Sequence, residues 1–218
     1  LPYDPIKDIT PITNVVATIG AIIAHPLFPA NNVAELLAMA KAKPGAVSYA
    51  SPGMGTIVHL GAEHLAQLAG IKMTHVPYKG AAPALADVLA GVIPVSFDAS
   101  LSSAAPNVKA GKVKLLGVTG PTRSPLFPNA GTVAEAGFPG YDASAWFGLI
   151  GPGNLPRDIV MRLNQVTVKG LREKETVDRL ATIGADVIAD TPEQFAKQIR
   201  DDIAKWAPVV KSSGAKLE

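Results

Sequence analysis

Between Tyr49 and Asp98 the sequence twice runs from a β-branched or aromatic stretch, through a glycine-bearing loop, into an apolar helical pattern. Val47-Ser48-Tyr49-Ala50 reads as a strand, Ser51-Pro52-Gly53-Met54-Gly55-Thr56 as a tight loop, and Ile57 to Ala69 as a helix. Met73-Thr74-His75-Val76-Pro77 is a second strand, which passes through Tyr78-Lys79-Gly80 into a helix from Ala81 to Ala90. A third strand, Pro94-Val95-Ser96-Phe97, stops at Asp98. Strand–helix alternation at this spacing predicts an α/β fold with parallel pairing and right-handed crossovers.

That arrangement has a chemical consequence. The first N–H groups of a helix lack intrahelical partners, and the helix dipole adds partial positive charge there. Glycines in the preceding loop let an anion approach those donors. Two such helix starts on neighbouring parallel strands face one sheet edge, where open α/β folds bind their ligands. The stretch is therefore expected to form one wall of an anion site, most plausibly for a carboxylate.

The candidate residues each carry a second reading. Ser51, Gly53, Gly55 and Thr56 form either an anion cradle of hydroxyls and amides or a simple strand-to-helix turn with a capping hydroxyl. Met54 suggests an apolar wall suited to an aromatic or longer-chain ligand. Tyr78, Lys79, Gly80 and Ala81 open the second helix; Tyr78 offers a hydroxyl and a ring, whereas Lys79 reads equally as a solvated lysine. Asp98 either holds an ammonium group or a water, or caps the following helix. His59 reads first as a packing histidine, and His25, His64 and His75 have no partners at metal-ligand spacing. Trp146 and Phe147 could stack on a solute or belong to a core; Phe147 is carried as a ligand candidate.

Around this block the signals are conventional. Ile12 to Ala24 reads as one or two strands, and Asn31 or Asn32 caps a helix from Val33 to about Lys43. Ser102 to Ala110 reads as a short helix interrupted by Pro106, Val113 to Val118 as a strand, and Thr132 to Ala136 as a short helix. Ala145 to Ile150 is a strand, and Asp186 to Ile188 a weak one. Helices are expected over Arg157–Arg172, Glu175–Ile183 and Thr191–Lys211, the last opened by Thr191-Pro192-Glu193-Gln194, a cap with a capping-box glutamine.

With 218 residues, 48% hydrophobic and 17% charged, the chain can bury a real core. A net charge of +2 without a Lys/Arg cluster argues against nucleic acid. The absence of cysteine removes disulfide and thiolate chemistry, and no metal or cofactor is expected. The apolar run Val15 to Ala24 is too short to span a membrane. A hydrolase or transferase using Ser51, His59 and Asp98 is the rival reading, but there is no Gly-x-Ser-x-Gly elbow and no phosphate-loop signature.

Several strings, in this order, resemble the Bug family, the periplasmic solute receptors of tripartite tricarboxylate transporters. They are Leu1-Pro2-Tyr3-Asp4-Pro5-Ile6-Lys7-Asp8, Tyr49-Ala50-Ser51-Pro52-Gly53-Met54-Gly55, His75-Val76-Pro77-Tyr78-Lys79-Gly80, Thr132-Val133-Ala134-Glu135-Ala136-Gly137, Ala145-Trp146-Phe147-Gly148-Leu149 and Ile203-Ala204-Lys205-Trp206. The resemblance implies a two-lobed type II periplasmic binding protein that closes on a small carboxylate: a di- or tricarboxylate, an aromatic carboxylate or an acidic amino acid. It implies delivery to a membrane permease, with docking on a membrane sensor kinase as the alternative. Residues 20–144 would form lobe 2, and residues 1–19 with 145–218 a partial lobe 1 and the crossover strands. A family receptor carries a further lobe-1 segment before the first of these strings; without it, exposed apolar surface would favour self-association.

Overall fold

The computed structural model describes residues 3–215; the first two residues of the lead-in and residues 216–218 lie outside the described residues. In chain order the elements begin β1 (Ile9–Thr18), β2 (Ala21–Ala24), α1 (Val33–Ala42), β3 (Ser48–Ser51), α2 (Ile57–Ala69), β4 (Thr74–Pro77) and α3 (Ala81–Leu89). They continue with β5 (Val95–Asp98), α4 (Leu101–Lys109), β6 (Lys114–Val118), β7 (Ala145–Pro152), α5 (Arg157–Leu171), α6 (Lys174–Thr182), β8 (Ala185–Val187) and α7 (Pro192–Ser213). The chain divides into two compact units, Leu1–Thr18 with Trp146–Pro208 and Ile19–Ala145 with Val209–Glu218.

The second unit is built on a five-stranded sheet in the order β4-β3-β5-β2-β6. β3 pairs parallel with both β4 and β5, while β2 pairs antiparallel with β5 and with β6. The block from Tyr49 to Asp98 pairs in parallel, as its strand–helix alternation predicts, and the sheet becomes mixed only where β2 enters antiparallel. The reason is local. Ile19-Gly20 turns the chain so that β2 enters between two strands of opposite direction, and a Cβ on Gly20 would lie 2.4 Å from Thr119 Oγ1 and 2.5 Å from the Asp98 carbonyl oxygen. Ala21 opposes both Asp98 and Val118, so β5 and β6 end at one edge, the edge at which β3 and β4 also end.

Alternation along β3 sorts the helices onto two faces. Tyr49, fully buried, donates from its hydroxyl to Glu63 of α2 at 2.7 Å and meets Phe97 edge-on at 5.3 Å. Ala50, on the other face, joins a cluster with Ile23, Ala84 and Val88 of α3, and Leu101 and Ala104 of α4. Consequently α2 and α3 cover opposite faces yet start at the same edge. Each fully buried aliphatic side chain, such as Leu65 on α2, contributes roughly 2 kcal/mol through burial.

Two local expectations change. α4 runs unbroken through Pro106. Thr132 to Ala136 is a single turn rather than a helix: Thr132 bridges to Val118, and Thr132 and Glu135 exchange reciprocal capping bonds of 2.9 and 3.0 Å.

In the first unit, β1 lies between β7 and β8, with Val16 opposite Val187 in an antiparallel ladder. Phe195 of α7 is fully buried and fills the space left by Gly148, where a Cβ would fall 2.0 Å from the ring. Trp146 stands edge-on to Phe195 at 5.3 Å and donates to Asp202 at 2.6 Å. α7 opens with the capping box, Thr191 and Gln194 bonding reciprocally at 3.0 and 3.2 Å. From Val209 onward its residues group with the second unit, where Ser212 accepts from Gln67 at 2.6 Å.

Candidate anion site

The parallel register Ser48↔Thr74 to Ser51↔Pro77 starts the loops after β3 and β4 side by side. Two main-chain bonds then tie the loops together, Tyr78 N–H to Ser51 O at 3.0 Å and Gly80 N–H to Pro52 O at 2.9 Å. Gly55 (φ +73°) and Gly80 (φ +111°) take backbone conformations that a side chain would strain.

The two helix starts differ in what they leave open. At α3 the N-cap is Gly80, which has no side chain to cap with, and Ala81 and Ala82 are exposed. Their amides have no intramolecular partner among the described residues, and Pro83 carries none. At α2 the protein satisfies part of its own helix start. Thr56 accepts from His59 N–H at 3.4 Å while its hydroxyl donates to Gly53 O at 2.8 Å, and Gly55 N–H donates to His59 Nδ1 at 3.1 Å. That leaves Ile57 and Val58 as the open first-turn donors of α2 among the described residues.

Several candidate side chains face inward. Ser51 is fully buried, and its hydroxyl is occupied by His75 Nε2 at 2.6 Å and by Gly53. Both the Ser51 and the Thr56 hydroxyl thus bond the loop itself, as in the turn-and-cap reading. Tyr78 donates to Asp87 at 2.7 Å, and that bond, ahead of burial, pushes its hydroxyl pKa upward. Asp98 accepts from Ser100 N–H at 3.0 Å and from Ser103 Oγ at 2.9 Å, just ahead of α4, whose N-cap is Ser100. Met54, at 45% exposed, and Lys79, also exposed, stand open beside the loops. Phe147 lies on β7 in the other unit and is 59% exposed.

Two features escaped sequence reasoning. A pocket at the start of α2 is lined by Ile57, Val58, Phe97, Asp98, Thr119 and Tyr141. Thr119 belongs to it because β6 ends at the same edge as β5, which only the antiparallel insertion of β2 reveals. Beneath the first loop, His59 and His75 stack face to face, 4.0 Å between ring centres and 17° between planes, with Tyr49 stacked on the far side of His75 at 5.0 Å. Burial lowers the pKa of His59, partly opposed by Glu63; burial and then the His59 ring push His75 down to about 4. Burial and the Glu63 carboxylate raise the Tyr49 hydroxyl. Ser51 and His75 are a hydroxyl–imidazole pair, but a fully buried serine cannot meet a substrate, and His59 and Asp98 are engaged elsewhere. No group of three metal-ligating side chains occurs among the described residues.

Residues 1–215 match the model of the tripartite tricarboxylate transporter family receptors. The chain belongs to this family. A protein from the tcbD-tcbE intergenic region of Pseudomonas sp. strain P51 is 33% identical over 96% of this chain, which spans 62% of that relative's length. Among solved structures, a periplasmic transporter superposes with a TM-score of 0.85 at 37% identity, over 100% of this chain and 72% of its own. The R. palustris protein Rpa4515 with adipate gives 0.84 at 31% identity (98% and 71% covered). MatC from Rhodopseudomonas palustris with bound malate gives 0.81 at 29% identity (96% and 72% covered). The fold is accordingly the α/β fold of a two-lobed type II periplasmic binding protein, and the relatives are solute receptors rather than enzymes.

Proposed function

We propose that this chain acts as an extracytoplasmic solute receptor that captures a small carboxylate, foremost an aliphatic dicarboxylate, and delivers it to a membrane permease. The observation that carries the reading is the pair of loops bonded to each other at the ends of β3 and β4, with the amides of Ala81, Ala82, Ile57 and Val58 left without internal partners. Charge-assisted bonds from such amides to a carboxylate contribute about 1.5–3 kcal/mol each, and two helix starts add their dipoles. Adipate and malate, the ligands of two similar structures, give the reading its chemistry. The similar periplasmic transporter and the periplasmic binding protein BugD support a periplasmic location for this reading; among the described residues no helix is long and apolar enough to cross a membrane.

In this reading Gly53, Gly55 and Gly80 shape the loops, Ala81 presents its amide, Met54 and Lys79 flank the ligand, and Ser51, Thr56, Tyr78 and Asp98 hold the loops and helices in place. Calorimetry and thermal-shift assays with adipate, malate, benzoate and glutamate test it. An aliphatic dicarboxylate should bind and raise the melting temperature; a flat response to all four, or turnover of any of them, would overturn it.

A further inference from the structure

The histidine stack takes no direct part in holding an anion, yet it sits directly under the loop that would. Gly55 N–H donates to His59 Nδ1, so that nitrogen carries no proton in this state. An imidazolium has hydrogens on both nitrogens and cannot accept that bond. His59 is only 2% exposed and follows the cap of α2, where the helix dipole already disfavours a cation. Opposite it His75 presents its ring at 4.0 Å, so a charge on one ring opposes a charge on the other. The remaining titratable neighbours are Glu63, one turn along α2, and Tyr49 of β3, and these two are bonded to each other. On the far side His75 holds Ser51, which in turn is bonded to Gly53. Both ends of the Ser51–Thr56 loop are thus fastened by one imidazole each.

We propose that His59, with His75 stacked on it, is the positioning residue of the anion-binding loop, and that the loop keeps its ligand-competent shape only while both rings are neutral. The inference deepens the receptor reading and rests on it. Proton uptake removes the acceptor for Gly55 N–H and sets two cations face to face, so the competent fraction of loops falls as the pH drops. A buried cation would also attract a carboxylate; the loss of loop geometry is the larger effect here, because a protonated His59 Nδ1 turns a donor toward the Gly55 N–H that it now accepts from.

The test is calorimetry with adipate on the full chain between about pH 7.5 and 4, on wild type, His59→Ala and His59→Asn. Asparagine offers an uncharged acceptor close to the position of Nδ1. Relative to His59→Asn, wild type should lose about threefold or more in affinity across that range, as the competent fraction shrinks. His59→Ala should bind weakly at every pH, and His59→Asn should restore binding with a profile set only by the protonation of adipate itself. An affinity that rises on acidification, or an identical pH profile in wild type and His59→Asn, would overturn the proposal. NMR titration of the imidazole and of the Gly55 amide decides it without ligand and without variants: both signals should move with one midpoint, and a Gly55 amide indifferent to His59 protonation would overturn it. Absence of adipate binding at all pH values counts against the receptor reading alone, because the Gly55 titration still reports on the loop.

Discussion

At the residue scale, what the sequence hides is register. Tyr49 and Ser51 alternate to one face of β3, and Tyr49 lies opposite His75 in the parallel ladder, so the His75 ring stacks on Tyr49 and reaches Ser51 diagonally. His59 meets the same face from α2, with Glu63 four residues on along the same helix side. Without the pairing of β3 with β4, His75 shows only an unpartnered spacing, and Ser51 reads as a ligand hydroxyl. The stack carries a pH dependence whose sign is definite. Both histidines have pKa values lowered in the folded protein, so the unfolded chain binds more protons and stability falls as the pH falls. The loss opens as pH drops below 6.5 and is complete near the His75 value of about 4. It amounts to no more than about 3 kcal/mol for His75, because its ring is partly exposed. Thermal melts should show Tm declining through that window, with a smaller decline in His75→Phe.

At the element scale most of the fold is legible, because caps and periodicity are local. Asn32 caps α1, accepting from Glu35 N–H at 2.9 Å, and Thr191-Pro192-Glu193-Gln194 opens α7 as its capping box requires. Mixed strand direction is not legible, since β2 reads as a continuation of β1 until the close approach at Gly20 is seen. Nor is Thr132–Ala136, whose capping box closes a single turn without a helix behind it. The start of α3 offers a clean experiment. Proline is tolerated at the first helical position and lacks only the amide, so Ala81→Pro should leave Tm nearly unchanged while weakening adipate binding roughly tenfold. In the first unit, Gly148→Ala forces a methyl into the Phe195 ring and should lower stability by about 1–3 kcal/mol in urea denaturation.

At the scale of the whole molecule, the chain belongs to the receptor family, and the proposed site draws on backbone rather than on side chains. The strings that resemble the family surround the loops, and they report glycines and turns rather than ligand contacts. The side chains of Ser51, Thr56, Tyr78 and Asp98 bond within the loops and helices, and the expectation of adjacent helix starts at one sheet edge matches the parallel pairing of β3 and β4. The central claim, that main-chain amides at the starts of α2 and α3 hold the carboxylate, is tested most directly by ¹H–¹⁵N NMR during an adipate titration. The amides of Ile57, Val58, Ala81 and Ala82 should shift together along one binding curve; a saturating titration that moves other amides and leaves these four in place would contradict the account.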